Sequence, residues 1–431
     1  MADYLIFERT VSRRDPNTDL FIKLTCDKPN EISRSTPLNM ELIEGFGMIS
    51  PLVVLTIKDY RGDLFNHMKI NTSGTFTLNF GRTLEDSVDL QLKISKFEQL
   101  NSVIGRPHEM ELKITFMMSN WYPMMSVRHN RGWANTKYSD IIKEMASEGN
   151  FEEISVTDSN GEIPSTVQPY WTNNKMIRWI RERISPSESV VSNFGYGHYE
   201  MGVTLDNRFL FQSTSEIMQK YKDAPSMKLE MAQTRGDQAV KDRRNNKNVP
   251  TYFLGVHNKE FYSSGIINGA GGVVSKYYDW DTDEIETEDI SFATEDTPML
   301  SDFSSIREEA TNNKQQFYGH SDTNTPFQSK NILNEAASSM FTLNVFTEGS
   351  PFLHIFDVVE LVIPATNLGS KIPVNAMYSG FYMVSAVAHQ FKFGDSTIDY
   401  ITEASLTRHG VDYFDYEGFE DLVVSSKGKI V

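Results

Sequence analysis

The segments TFTLNF (75–80), SVDLQLKI (87–94) and EMELKITF (109–116) decide the fold of this chain. In each of them an apolar side chain recurs at every second position, and polar or charged side chains fill the positions between. The apolar positions are Phe76, Leu78, Phe80, Val88, Leu90, Leu92, Ile94, Met110, Leu112, Ile114 and Phe116. Because successive side chains of a β-strand point to opposite faces, each segment buries one face and exposes the other. The pattern predicts antiparallel strands of a barrel or sandwich.

The rest of the first 118 residues fits the same interpretation. Residues 51–57 form a further apolar strand candidate, and the residues at 59–63 are typical of a turn, in which Gly62 accepts a positive φ. We therefore predict a first tube-like barrel domain over 1–118.

The period becomes helical over 119–190, where we predict a helical domain. Ser139 is expected to cap a helix over 140–148, and Thr172 to cap a second helix that ends before Ser185. The apolar stripe of the second helix comprises Met176, Ile177, Ile180 and Ile184. The basic side chains outside that stripe are Lys175, Arg178, Arg181 and Arg183. They favour a solvated face or a salt-bridged subunit contact over a nucleic-acid site.

A second β region follows. Strand-like sequence resumes at 199–212, with Asp206 and Asn207 as the hairpin turn, and continues in three long strand candidates at 358–363, 380–393 and 397–407. The segment 380–391 is apolar on both faces, which indicates a strand covered on both sides or one at a subunit interface. We predict a second barrel domain made of 191–225 and 336–410, followed by a tail over 411–431.

The segment 226–335 loses clean periodicity and is expected to be an irregular acidic insertion. Its basic patch comprises Lys241, Arg243, Arg244 and Lys247. A glycine-rich stretch follows at 269–272, and an acidic run at 279–289. The predicted fold class is thus mainly β with α+β parts, with two tube-like antiparallel β-barrel domains and a helical segment and an irregular insertion between them.

Composition limits the class of protein. The chain has 431 residues, a mass of 49.2 kDa and a formal charge of −17, which favour two or three folded domains. The first residues lack the apolar core of a leader, no window reaches membrane-spanning length, and Cys26 has no second cysteine to pair with. We therefore expect folding in the reducing cytoplasm and no strong electrostatic binding of nucleic acid.

A search for chemistry finds no catalytic motif. The acidic run begins like a calcium loop, but its sixth position is Glu284 instead of glycine and its twelfth is Ile290 instead of glutamate. His389, near Asp395 and Ser396, is better explained as a packed or interfacial histidine on a strand, because no nucleophile elbow exists. We predict no catalytic, cofactor-binding or metal-binding residues, and no cofactor.

Two short motifs also favour ordinary structural roles. The glycines at 269–272 lack the spacing of a phosphate-binding loop, and the Arg-Gly-Asp tripeptides at 61–63 and 235–237 match an adhesion motif that recurs by chance.

Three stretches together resemble the baseplate hub protein of tailed bacteriophages, best known from the contractile-tailed T-even phages. The first is MISPLVVLTIKDYRGDLFNHMKINTSGTFTLNF (48–80), the second is SDIIKEMASEGN (139–150) with VQPYWTNNKMIRWIRERI (167–184), and the third is YSGFYMVSAVAHQFKFGDSTIDYITEASLTRHG (378–410). The segment 226–335 departs from that family's pattern.

The resemblance implies a structural protein of the virion tail and no enzyme. Hubs of this family carry two barrels related to the tail-tube subunit and form homotrimers, which adapt a three-fold central spike to a six-fold tail tube. The implied partners are further copies of the chain, the spike, the tube protein, and wedge or tape-measure proteins, and DNA passes through during ejection without specific binding. The family carries no catalytic residues, and its interface positions are too variable to be mapped here, so the partner interface stays unknown.

Three alternatives remain open at this point. The chain is compatible with the hub of a phage-derived injection system, such as a tailocin or a type VI secretion spike. A tail-associated cell-wall hydrolase would show muralytic activity that one carboxylate controls. A receptor-binding adhesin would bind the host surface as an isolated protein.

Overall fold

The computed structural model describes most of the two β regions and the helical segment between them. The described residues are 4–11, 20–27, 35–60, 74–81, 87–102, 109–159, 163–184, 198–214, 216–217, 227–231, 251–261, 273–279, 282–290, 315–318, 331, 335, 341–348, 353–363, 378–394 and 398–408.

Strands dominate the described residues. They are β1 (Tyr4–Val11), β2 (Leu20–Cys26), β3 (Ser35–Gly45), β4 (Leu52–Tyr60), β5 (Phe76–Gly81), β6 (Val88–Ser102), β7 (Glu109–Met118), β8 (Arg128–Thr136), β9 (Glu153–Val156), β10 (Ile163–Thr172), β11 (Tyr199–Val203), β12 (Arg208–Ser213), β13 (Met227–Met231), β14 (Thr251–Phe261), β15 (Val273–Asp279), β16 (Glu284–Ile290), β17 (Gln315–Tyr318), β18 (Phe341–Glu348), β19 (Val358–Val362), β20 (Gly380–Phe393) and β21 (Ile398–Arg408). The helices are a 3₁₀ turn (Ser119–Trp121), α1 (Tyr122–Ser126), α2 (Tyr138–Ser147) and α3 (Asn173–Arg181).

The first seven strands form one curled antiparallel sheet in the order β1-β2-β5-β6-β7-β4-β3. The sheet curls until β1 lies against β3, which gives it the shape of a barrel. The predicted alternation is confirmed in its core, because these inward positions are buried: Phe76, Leu78, Phe80, Leu90, Leu92, Leu112, Ile114 and Phe116. Burying this set removes a large apolar area from water, and each Å² of that area stabilises the folded chain by about 25 cal/mol.

The second barrel is a closed ring of six strands. Its order is β20-β19-β13-β14-β18-β21, and β21 pairs back with β20 to close the ring. Strand β13 runs parallel to both of its neighbours, and the other pairs are antiparallel. A separate apolar core fills this ring, with these residues among its members: Leu229, Leu343, Val345, Leu361, Tyr382, Val384 and Leu406.

A mixed segment lies between the two barrels in sequence. It contains the two-stranded ribbon β8–β10, the three-stranded sheet β11-β12-β9 and the helices. Thr172 caps α3 as predicted, since its hydroxyl accepts a hydrogen bond from the Lys175 backbone N–H (3.3 Å). The predicted turn at Asp206 and Asn207 is also confirmed, and Asn207 takes a positive φ of 64°.

The prediction that Ser139 caps α2 is wrong. The helix begins at Tyr138, so Ser139 lies inside its first turn, where it is buried and its backbone N–H donates to Ser159 Oγ (3.1 Å). A serine one residue inside a helix carries the same sequence pattern as a cap, and tertiary contacts decide between them.

The structure also differs from the sequence pattern in two segments that contain additional strands. In 119–190, the half-exposed strands β8, β9 and β10 lack the apolar alternation that identifies a buried strand. In 226–335, β13 and β14 complete the second barrel, and β15, β16 and β17 form a small sheet of their own. The described residues of the acidic run, 279 and 282–289, therefore belong to a β-hairpin.

The expected fold class is confirmed as mainly β with α+β parts, built on two tube-like barrels. Within the ranges given above, no helix has the length and apolar content needed to cross a membrane.

Candidate functional site

Strand β20 joins the two barrels, because it pairs with strands of both. Before Ser385 it pairs with β19, and beyond Ser385 it pairs with β3, while β21 follows its other edge. The register shifts at this residue, and its carbonyl accepts a hydrogen bond from the Phe46 backbone N–H (2.9 Å). A bulge bends a strand and increases its twist. One strand thus passes from one barrel into the other, so a continuous hydrogen-bonded sheet links them.

The buried carboxylate of Glu44 ties the same junction together. Glu44 lies on β3 and is 0% exposed. It accepts hydrogen bonds from the backbone N–H groups of Leu205 (2.8 Å) and Ile355 (2.8 Å), and Oε1 lies 3.2 Å from His354 Nδ1. Leu205 belongs to the turn between β11 and β12, and Ile355 precedes β19. One side chain therefore connects the first barrel, the mixed segment and the second barrel through charge-assisted hydrogen bonds.

Further charges surround the Glu44 carboxylate. Burial opposes the charged form of His354, but the carboxylates of Glu44, Asp206 and Asp357 raise the pKa of its imidazole. Burial raises the pKa of Asp357, whose Oδ2 accepts from the His354 backbone N–H (2.9 Å). Burial also opposes charge on Asp206, yet hydrogen bonds from Arg208 and Thr204 lower its pKa. The junction is a polar cluster enclosed by apolar side chains and is suited to holding the barrels in one relative position.

Gly202 on β11 provides a first test of this junction. A Cβ at this position would overlap Cδ1 of Ile355 and lie 3.3 Å from the Gly45 carbonyl oxygen. We expect Gly202→Ala to lower the free energy of unfolding by about 1–3 kcal/mol, because the site is fully packed. Urea unfolding followed by tryptophan fluorescence measures this change.

Gly132 on β8 supplies the matched control. A Cβ there would meet its nearest atom, the Thr166 carbonyl oxygen, at an ordinary 3.6 Å. Gly132→Ala should therefore change the free energy of unfolding by less than about 0.5 kcal/mol. Equal effects of the two substitutions would show that the junction around Gly202 is not tightly packed.

A cleft opens beside the junction, between the mixed segment and the second barrel. Its volume is about 290 Å³, and its walls include Phe46, Glu200, Met383 and Ser385. In its wall Arg181 Nη1 donates to Glu200 Oε2 (2.7 Å), and His198 Nε2 lies 3.3 Å from Glu200 Oε1. Burial opposes charge on Glu200, but the contacts with His198 and Arg181 lower its pKa. Glu200 therefore stays ionised at neutral pH.

The side chains of Thr214, His198 and Glu200 form the hydroxyl–imidazole–carboxylate order of a hydrolase triad. The Thr214 hydroxyl lies 3.4 Å from His198 Nδ1. Thr214 is 0% exposed, however, so its oxygen cannot reach a substrate. The arrangement is a structural link between β11, α3 and the residues after β12.

The histidine and the cysteine singled out from the sequence have hydrogen-bond partners other than Glu44. His389 is fully buried on β20, as expected for a packed histidine, and its Nδ1 lies 2.9 Å from the Tyr400 hydroxyl. Asp395 and Ser396 lie outside the described residues. Cys26 is half-buried at the end of β2, with Sγ 3.9 Å from Asp27 Oδ1.

The structure describes only some residues of the other candidate sites predicted from the sequence. Of the acidic run, residues 279 and 282–289 are described, and they belong to the hairpin β15–β16. The turn residues 61–63, the basic patch at 241–247, the tripeptide at 235–237 and the glycines at 269–272 lie outside the described residues. Among the residues with described positions, no group of three or more His, Cys, Asp or Glu side chains is placed to hold a metal ion.

The Glu44 junction was missed by sequence reasoning. Met40 and Leu42 are buried on β3, and Glu44 occupies the next inward position of the same alternation. A glutamate at a core position of a strand is the one local signal for a buried polar link. Its partners at 205 and 355 are too distant in sequence to be inferred from the pattern.

Two solved structures of tail proteins have the same overall fold as this chain. A tail protein from Neisseria meningitidis MC58 aligns with a TM-score of 0.52 at 10% identity, over 91% of this chain and 97% of its own. The 43 kDa tail protein of prophage MuSo2 from Shewanella oneidensis aligns with a TM-score of 0.55 at 6% identity, over 90% of this chain and 98% of its own. The likeness to phage tail proteins that the three sequence stretches indicated is therefore confirmed in the fold.

A third solved structure is more distant. A component of the type VI secretion system of E. coli aligns with a TM-score of 0.45 at 9% identity, over 89% of this chain and 76% of its own. No protein-family model matches the chain, and no curated protein matches it in sequence.

Proposed function

We propose that this chain is the structural hub of a phage tail baseplate, and that it works as a homotrimer without enzymatic activity. The observation that carries the proposal is the pair of barrels fused through β20 into one sheet. The fold shared with two tail proteins over nine-tenths of the chain supports it.

The fused pair of barrels suits a change of symmetry. Three copies of a chain with two barrels present six barrel units, which match a six-fold tube on one side and a three-fold spike on the other. A closed ring of this kind also covers strand edges that would otherwise be exposed. The Glu44 junction supports this role, because an adapter must hold its two barrels in a fixed relation.

The division of the chain into domains is part of the proposal. The first barrel takes 1–118, and the second barrel takes 336–410. The helical domain with added strands takes 119–190 and also 191–225, because β11 and β12 pair with each other and with β9, not with a strand of the second barrel. The segment 226–335 contributes β13 and β14 to the second barrel and carries the small sheet. The tail, 411–431, completes the division.

The partners and location follow from the proposed role. The hub would bind the central spike, the tube protein, and wedge or tape-measure proteins, and it would assemble in the host cytoplasm into the virion tail. The charge of −17 supports a channel through which DNA slides, because like charge repels the phosphate backbone.

The solution mass tests the trimer. We expect sedimentation equilibrium of the full chain, alone or with the spike protein, to give three copies of the 49.2 kDa chain. A chain that stays monomeric at high concentration and also in the presence of the spike would contradict the proposal.

A further inference from the structure

Two exposed surfaces of this chain carry opposite charge and similar apolar centres. We call the first the aromatic–basic face, and it comprises Tyr122, Met125, Val127, Arg128, Tyr170 and Lys175. We call the second the acidic hairpin, and it comprises β15, β16 and the turn residues Thr282 and Asp283.

The aromatic–basic face lies where β8 begins and β10 ends. Tyr122 and Met125 are one helical turn apart on α1, which packs against β10. Arg128 covers the ring of Tyr170 with its guanidinium carbon 5.6 Å from the ring centroid, and Tyr170 is 64% exposed. Val127 precedes Arg128 and is also exposed. These exposed apolar side chains lie on elements that meet at the end of the ribbon.

The surroundings of this face are basic. The stretches 119–136 and 163–181 carry five lysines and arginines and no acidic residue, in a chain whose net charge is −17. Arg131 is paired with the partly exposed Glu148 and Glu144, and Arg181 with the buried Glu200. Lys175 lies over the ring of Trp171, with its Nζ 4.3 Å from the centroid. Arg128 over the exposed ring of Tyr170 and Lys175 over the partly buried ring of Trp171 present two cations that attract carboxylates.

The acidic hairpin has the complementary composition. The run 279–289 contains seven acidic residues and no basic residue. Ile285 is 72% exposed between Glu284 and Glu286, which makes it the most exposed large apolar side chain in the described part of the chain. The hairpin register pairs Tyr278 with Ile285, and the Tyr277 hydroxyl donates to Glu286 Oε2 (2.5 Å). Ile285 shares its face of the hairpin with its cross-strand partner Tyr278, whereas Glu284 and Glu286 lie on the opposite face because side chains alternate along a strand. An exposed apolar side chain on an acidic hairpin has the form of an interface anchor.

We propose that the acidic hairpin of one copy docks on the aromatic–basic face of the next copy, with Ile285 against the rings of Tyr122 and Tyr170. This inference rests on the proposed homotrimer and names its contact. The two surfaces do not cover each other within one chain, because Ile285 and Tyr170 both stay largely exposed. A contact between two different surfaces is heterologous, and such contacts generate a closed ring when three copies complete it.

The test compares Tyr170→Asp and Ile285→Asp in the full chain, with trimer formation measured by sedimentation velocity. Aspartate tolerates the positive φ of 54° at Tyr170, so the fold is expected to be kept, and circular dichroism checks it. Each substitution should weaken trimer formation by roughly tenfold or more, since each places a charge at the centre of the contact. Leu100→Asp, at a 45% exposed apolar residue of β6, is the matched control and should leave trimer formation unchanged.

A mixing experiment tests the heterologous geometry. The Tyr170→Asp chain keeps an intact hairpin, and the Ile285→Asp chain keeps an intact face. An equal mixture should therefore form a dimer through the one intact contact and fail to close a trimer.

The outcomes separate this inference from the proposed function. A wild-type trimer that both variants leave intact would overturn the docking contact and keep the hub proposal. Variants that trimerise normally but no longer assemble with the spike or tube protein would assign the face to another tail protein and overturn the contact between copies. A monomeric wild type would overturn both, and a control as damaging as Tyr170→Asp would overturn the special role of the face.

Discussion

Glu44→Ala is expected to lower the free energy of unfolding by about 3–5 kcal/mol, the largest effect of a single substitution that we predict. The change leaves the buried N–H groups of Leu205 and Ile355 without their acceptor, and it removes the carboxylate 3.2 Å from His354 Nδ1. Chemical unfolding of the full chain, followed with one spectroscopic probe in each barrel, measures this loss in the free energy of unfolding. Because Glu44 connects the barrels, the two transitions should also separate in the variant.

Two further variants control for this result. Glu41→Ala changes the same residue type on the same strand at a partly exposed position, and it should cost less than about 0.5 kcal/mol. Glu44→Gln keeps one acceptor oxygen but turns an N–H₂ group toward backbone donors, so its effect should lie between the two. A loss of under 1 kcal/mol for Glu44→Ala would show that the carboxylate does not hold the junction.

Acidification from pH 7 to pH 5 is expected to destabilise the fold by about 2 kcal/mol through His389 alone. Burial, with a smaller contribution from His354, lowers the pKa of His389 to about 3. Between the ordinary pKa of about 6.5 and the folded value, the unfolded chain binds a proton that the folded chain does not. Stability therefore falls as the pH falls, by about 1.4 kcal/mol per pH unit in this window.

The comparison of wild type with His389→Gln isolates this effect. Glutamine has a similar size and does not titrate, so the difference in stability between the two proteins should shrink or reverse in favour of the variant from pH 7 to pH 5. The raised pKa of His354 does not add to the slope, because its stabilising effect is fully present below pH 6.5 and is lost only at higher pH. A difference that stays constant with pH would show that His389 takes up its proton at the same pH in the folded chain as in the unfolded chain.

The strands of the first barrel were predictable because their signal is local. Phe76, Leu78 and Phe80 alternate with polar residues, and the structure buries all three. Thr172 was likewise recognised as a cap because its partner, the Lys175 N–H, lies three residues away. Local hydrogen bonds and a two-residue period are visible in a single sequence.

The remaining features depend on contacts between distant residues. The ribbon of β8 and β10 escapes the pattern because the buried positions of β10 hold the polar side chains Thr166 and Gln168, so no apolar alternation marks it. Strand β13 is five residues long and becomes a barrel strand only through its parallel neighbours β14 and β19. Glu44 meets partners 161 and 311 positions away, which no local period encodes. The sequence therefore predicted the elements with local signals and missed the junction that holds them together.

Class-averaged electron microscopy of the purified protein, with its solution mass measured on the same sample, tests the hub proposal most directly. We expect a three-fold ring with six lobes around a central opening, because each of three copies contributes two barrels. A particle with two lobes and the mass of one chain, under conditions in which the spike protein is also present, would contradict it.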